Sequence, residues 1–140
     1  MSAIHGGCIC GKVRYAATAE PLVVRACWCR VCRYFAAGNA SINLAFARDA
    51  VTLSGDLRDY TSAAESGNRM HRGFCPECGV HVTSEAEERP QLIVIRMGTL
   101  DEPQRFAPQA NIWVSAAPPW AHIDRDLPQF PGQPPPPATR

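Results

Sequence analysis

Apolar residues recur at every second position over much of this chain, and a period of two predicts strands rather than helices. Residues 12–16 alternate in this way, and residues 22–26, a β-branched run, follow a turn marked by Glu20 and Pro21. These two segments are expected to pair. Residues 41–46 alternate again, while residues 51–53 and 57–60 flank Ser54, Gly55 and Asp56 as an expected hairpin. Residues 61–68 read as a polar loop. Residues 69–74 and 80–83 enter and leave a short turn that carries Cys75 and Cys78, a strand-to-strand knuckle of the zinc-ribbon kind. Residues 85–90 are charged and belong in solvent. The run 91–97 is hydrophobic enough for the centre of a sheet, and a last short strand is expected at 111–114. Helical signal is confined to residues 33–37, a turn that Gly38 and Asn39 can stop. The predicted fold class is mainly β with few short helices.

A chain of 140 residues suits one domain with one core, here expected over residues 1–130. From Pro118 onward proline is dense, and residues 131–140 carry too little apolar surface to offset their ordering entropy. That tail is expected to be extended or disordered. With 14 basic and 13 acidic residues the net charge is +1, so no basic stripe points to nucleic acid. No apolar run is long enough for a membrane-spanning helix. The chain opens Met1-Ser2-Ala3-Ile4-His5 without a charged and apolar leader, which favours a cytoplasmic, reducing location.

The seven cysteines change the picture most. Cys27, Cys29 and Cys32 lie within six residues, and packing alone gives thiols no reason to recur so closely. A soft metal ion does. Cys8 with Cys10 and Cys75 with Cys78 form two further pairs, and four sulfurs from two distant segments make a closed tetrahedral zinc site. The central cluster stops at three, the number that leaves a fourth position for water or substrate. Gly79 after the second pair, and Gly6, Gly7 and Gly11 around the first, suit the tight turns such knuckles need. A disulfide framework fits poorly with an odd count and two Cys-x-Cys pairs, and neither Cys-x-x-Cys sits in the βαβ unit of a redox motif.

Three motifs carry a resemblance. Residues 7–15 (Gly-Cys-Ile-Cys-Gly-Lys-Val-Arg-Tyr), residues 27–33 (Cys-Trp-Cys-Arg-Val-Cys-Arg) and residues 74–79 (Phe-Cys-Pro-Glu-Cys-Gly) resemble the glutathione-dependent formaldehyde-activating enzyme family, the CENP-V/GFA domain. Weaker echoes are found at residues 98–101, 118–120 and 127–130. The resemblance implies an Mss4-like fold with two zinc ions, a structural one held by Cys8, Cys10, Cys75 and Cys78 and a catalytic one held by Cys27, Cys29 and Cys32. It further implies a carbon–sulfur lyase that forms or cleaves an S-(hydroxymethyl)glutathione-like adduct, with a small thiol such as glutathione or its aldehyde adduct as partner. The alternative is a non-catalytic, zinc-stabilised binding module. One departure stands out: the family usually has histidine where this chain has Trp28, which either widens an apolar pocket wall or packs beside the site.

The chemistry has an independent basis. Three thiolates on zinc leave a charge near minus one, and the soft ion accepts a further thiol and lowers its pKa. Arg30 and Arg33 lie beside this anionic cluster and either bind a substrate carboxylate or balance the thiolates, the second being favoured. His71 and His81 flank the second knuckle as candidate proton shuttles, with a plain structural role as the bland reading. His5 and His122 have no neighbouring partner in sequence, and Trp113 and Trp120 are expected in the core.

Overall fold

In the computed structural model, which describes residues 3–139, the alternating segments become β1 (Ile4–Gly7), β2 (Arg14–Ala17), β3 (Val23–Cys27), β4 (Ser41–Ala47), β5 (Val51–Ser54), β6 (Arg58–Ala63), β7 (Arg69–Phe74), β8 (His81–Ala86), β9 (Leu92–Arg96) and β10 (Ala110–Ile112). One short α-helix, α1 (Arg30–Phe35), joins β3 to β4. The fold is mainly β. A three-stranded sheet runs β1-β2-β5, and a seven-stranded sheet runs β10-β3-β4-β9-β8-β7-β6. Only the β10–β3 pairing is parallel among these strands. The most hydrophobic strand, β9, is the fourth of seven, where a central strand belongs.

Two expected pairings are overturned. Residues 12–16 and 22–26 form no hairpin, because β2 lies between β1 and β5 while β3 lies between β4 and β10. Glu20 and Pro21 carry the chain from one sheet to the other. Residues 51–53 and 57–60 also stay apart, since β5 joins β2 and β6 joins β7. Between them Gly55 takes φ +90°, and a Cβ there would stand 2.0 Å from the carbonyl oxygen of Lys12. Only glycine allows that approach, and it turns the chain onto the first knuckle instead of closing a hairpin.

Element ends shift as well. Thr61, Ser62 and Ala63 extend β6, so the polar loop narrows to residues 64–68, and Glu85 and Ala86 extend β8. The helix begins at Arg30 rather than Arg33, which brings Cys32 into it, and it ends where Ala37 and Gly38 take positive φ. The last strand stops at Ile112 because Trp113 adopts a left-handed φ of +57°. Trp113 is half-buried and Trp120 is 60% exposed, so neither is a core residue.

The pleat of the large sheet separates two environments. Val24, Leu44, Phe46, Ile93 and Ile95 face the small sheet and pack there with Ile4, Tyr15, Ala17 and Val51. Each large apolar side chain so buried stabilises the fold by about 1.5–3 kcal/mol. The alternate residues, among them Val23, Arg25 and Cys27 on β3 and Val94 and Arg96 on β9, line a cavity on the other face. Residues 128–130 lie beside β10, where the Phe130 N–H donates to the Asn111 carbonyl at 2.8 Å. Residues 131–139 hold no regular element and run extended over the molecule, with Pro134 buried and the Pro135 carbonyl accepting from Arg25. Among the described residues no helix is long and apolar enough to cross a membrane.

Candidate metal centres and cavity

Two turns of nearly equal construction build the first cluster. The Cys8 N–H donates to the Val13 carbonyl at 3.0 Å, and the Cys75 N–H donates to the Val80 carbonyl at the same distance. Gly11 and Gly79, each following the second cysteine of its pair, take φ +79° and +78°. The glycine spares both turns the strain of a left-handed side-chain residue. Facing each other, the turns bring Cys8, Cys10, Cys75 and Cys78 together with their sulfurs all within 4.8 Å. Cys8 Sγ to Cys10 Sγ is 3.6 Å and Cys10 Sγ to Cys75 Sγ is 3.7 Å. A tetrahedron with zinc–sulfur bonds of about 2.3 Å has edges of about 3.8 Å, so this set fits a zinc ion. Burial works against the charge of Cys8, yet the Val13 N–H and the neighbouring thiols bring its pKa down to about 6. Cys10 is exposed and Cys78 half-buried, and none of the four lines the cavity that the second cluster faces.

The second cluster is delivered differently. Cys27 ends β3, held between Ser41 of β4 and Ile112 of β10, and Cys29 caps the helix that carries Cys32. The Cys32 N–H donates to the Cys29 sulfur at 3.3 Å, so the cap that starts the helix also sets the spacing of the two thiols. Cys27, Cys29 and Cys32 are all buried, and their sulfurs lie within 4.8 Å of one another. No other histidine, cysteine, aspartate or glutamate joins the cluster among the described residues. Cys32 is held well below the usual thiol range by hydrogen bonds from the Cys27 and Cys29 thiols, with Arg96 and Asn43 helping. Cys27 is pushed up by its hydrogen bonds with Cys29 and Cys32, and burial adds to the rise.

All three thiols line the cavity, which has a volume of about 160 Å³. Arg96 forms part of the wall and is buried: burial works against its charge, and the thiolates of Cys32 and Cys27 favour it. It donates to Ser41 Oγ at 3.2 Å and also to Asn43 Oδ1 and Ser84 Oγ. Trp28 is not in the wall. Its indole is buried behind the cluster and its Nε1–H donates to Asn111 Oδ1 at 3.4 Å, so the residue packs beside the site.

The other candidates separate cleanly. Arg30 lies exposed over the Tyr34 ring at 3.9 Å, and Arg33 Nε donates to the Trp28 carbonyl at 3.1 Å. Neither lines the cavity. The guanidinium groups that do belong to Arg25, Arg72, Arg89 and Arg96, which were not singled out from sequence. His81 donates through Nε2 to the Thr83 carbonyl at 2.9 Å, and its Nδ1 is buried without a partner. Burial, with Arg96 and Arg72 close by, pushes its pKa down to about 3, so the ring stays neutral. His71 lies between Asp59 at 2.6 Å and Glu87 at 2.8 Å, whose carboxylates raise its pKa. Neither imidazole lines the cavity, and His5 and His122 are exposed elsewhere.

The model of the glutathione-dependent formaldehyde-activating enzyme family matches residues 3–116, which contain both clusters. The chain belongs to this family. A crystal structure of a protein from Rhodobacter sphaeroides shares the fold, with a TM-score of 0.56 and 20% sequence identity over 74% of this chain and 97% of its own. No curated protein matches the chain in sequence. The family places a glutathione-related enzyme beside the geometry, and both clusters are cysteine sets able to hold metal.

Proposed function

We propose that this family member is a zinc-dependent carbon–sulfur lyase that forms and cleaves a hydroxymethyl-type adduct of a small thiol, with glutathione as the family's reference substrate. The observation that carries this reading is the three-sulfur cluster, whose only ligand-type side chains among the described residues are Cys27, Cys29 and Cys32 and which faces a cavity. A zinc ion bound there would supply Lewis acidity at a fourth position, lowering the pKa of a thiol presented to it. Cys27, Cys29 and Cys32 would be the three side chains that hold the ion. Arg96 offsets part of their charge, and the sheet wall keeps bulk water from the reacting atoms.

A thiol and an aldehyde held together in this cavity would react with much of the acceleration coming from proximity. The sulfur pair forms the C–S bond, the carbonyl π pair moves to oxygen, and the proton lost by the thiol is balanced by the one that oxygen gains. Cleavage reverses each of these changes. Glu65 is the carboxylate in the wall, and its Oε1 accepts from the Arg30 N–H at 2.6 Å.

The test is a titration of the cobalt-substituted protein with glutathione, followed by formaldehyde. A shift of the cobalt spectrum on adding thiol, together with adduct formation faster than in buffer, supports the lyase. A spectrum indifferent to every thiol, in protein carrying metal in both clusters, overturns it and favours the binding module.

A further inference from the structure

The cavity wall carries more positive charge than the cysteine cluster accounts for. Three thiolates on a divalent ion leave about one negative charge, which Arg96 balances. Arg25, Arg72 and Arg89 remain, against Glu65 as the one carboxylate among the wall residues. Elsewhere five cations form ion pairs, Lys12 with Glu77, Arg14 with Asp101, Arg48 with Glu85, Arg69 with Glu87 and Arg105 with Glu20, while Arg30, Arg33, Arg58 and Arg125, in no ion pair among the described residues, line no part of this cavity. None of the four cavity arginines joins an ion pair among the described residues.

Arg25 shows this most clearly. Its Nε is buried with no hydrogen-bond partner, and its one side-chain bond is a donation to the Pro135 carbonyl at 3.3 Å. The guanidinium of Arg89 is close enough to add to the burial that disfavours its charge. Two like charges turned toward one cavity, with an unused donor, form a receptor for an anion. Arg96, nine-tenths buried in the same wall, likewise has an unpartnered Nε. Arg25 and Cys27 share one face of β3 two residues apart, which sets their backbone positions roughly 7 Å from each other.

Resting on the reading that the three-cysteine cluster accepts a thiol, we infer that its substrate is a short mercaptocarboxylate, whose carboxylate is held by Arg25 and Arg89 while its sulfur lies at the cluster. Size points the same way. A void of about 150 Å³ encloses benzene, so a cavity of about 160 Å³ encloses a thiol, its adduct carbon and a short acid chain, whereas most of a tripeptide must lie outside.

The experiment titrates the cobalt-loaded full chain with 3-mercaptopropionate and with 2-mercaptoethanol, a neutral thiol of similar size. The acid is expected to bind roughly tenfold or more tightly than the alcohol, as a charge-assisted contact allows. In Arg25→Gln and in Arg89→Gln the ratio should fall toward one. Arg89 lies in a turn outside the strands, so its variant tests the idea even where Arg25→Gln fails to fold. Equal binding of the two thiols by the wild type overturns the carboxylate site while leaving the open thiol site in place. A preference that survives in both variants overturns the assignment to these arginines. A spectrum that responds to neither thiol overturns both this inference and the lyase reading. Glutathione binding more tightly than 3-mercaptopropionate overturns the assignment to a short acid.

Discussion

The four-cysteine cluster is assembled from two turns with matching hydrogen bonds, while the three-cysteine cluster is assembled from a strand end and a helix cap. The first ties residues 8–10 to residues 75–78 and contributes no cysteine to the charged cavity. The second draws its ligands from one six-residue stretch, so it crosslinks little of the chain, yet it is buried and has a charged cavity before it. Long-range closure is what stability needs, and an unfilled side is what chemistry needs. The same atom type thus serves two ends, separated by where the backbone comes from.

Removing one ligand from each cluster is the strongest way to break this comparison. A structural zinc site contributes on the order of 10 kcal/mol, comparable with the whole stability of a small domain. Cys75 is fully buried in the core and supplies one of the four sulfurs. Cys75→Ser is expected to abolish the cooperative thermal transition and release metal from both clusters. Cys29→Ala should instead lose about one of two metals and the thiol response. Its fold survives with a penalty of about 1 kcal/mol, mainly from the lost helix cap. Elemental analysis with thermal unfolding reads both variants. Equal damage from the two substitutions would remove the division into structural and open sites.

A smaller effect is expected at Arg96, whose charge acts on the second cluster and not on the first. Its partners Ser41, Asn43 and Ser84 would be left short of donors in Arg96→Met, at a cost of about 2–3 kcal/mol to stability. The cation also favours the thiolate of Cys32. In the variant the second cluster should therefore lose its metal at a higher pH during acid titration, while the first releases its own at an unchanged pH. Metal release followed with a chromogenic chelator measures the two steps. A matching shift in both would mean that Arg96 acts through global stability.

How far these features could be read from sequence depends on their range along the chain. The cysteine groups were legible because their spacing is local; the period of two placed β4, the knuckle placed β7 beside it, and a continuous hydrophobic run placed β9. Strand partners were not legible. Residues 22–26 looked ready to pair with residues 12–16, but pairing was decided by packing between two sheets, with Pro21 and Gly55 as crossings between them. The arginines show the same limit. Arg30 and Arg33 stood beside the cysteines in sequence, yet the helix turns one onto Tyr34 and the other onto the Trp28 carbonyl. Arg25 shares the strand phase of Cys27, a signal that was present. Arg72 and Arg96 reach the cavity only through the order of β7, β8 and β9, which no local pattern encodes.

At neutral pH the least effect is expected from the two histidines near the second knuckle, whose contributions change only as the pH moves, and they sharpen the contrast between a half-buried and a more exposed ring. His81 has a folded pKa pushed down to about 3 from an ordinary 6.5. The unfolded chain therefore takes up a proton between those values that the folded chain refuses. Its stability contribution is complete above pH 6.5 and is lost as pH falls toward 3, at a slope of at most about 1.4 kcal/mol per pH unit. His71 works in the opposite sense. Asp59 and Glu87 raise its pKa, so its contribution is complete below pH 6.5 and is lost as pH rises through the raised value. Its pairs are solvent-exposed, so screening keeps that contribution small. In urea unfolding followed across pH, His81→Gln should flatten the acid side of the stability profile. His71→Gln should slightly flatten the alkaline side. Proton NMR of the two rings decides the assignment: a His81 resonance titrating near 6.5 would mean that its ring is fully solvated, and the partial burial beside Arg96 and Arg72 that depresses its pKa would fail.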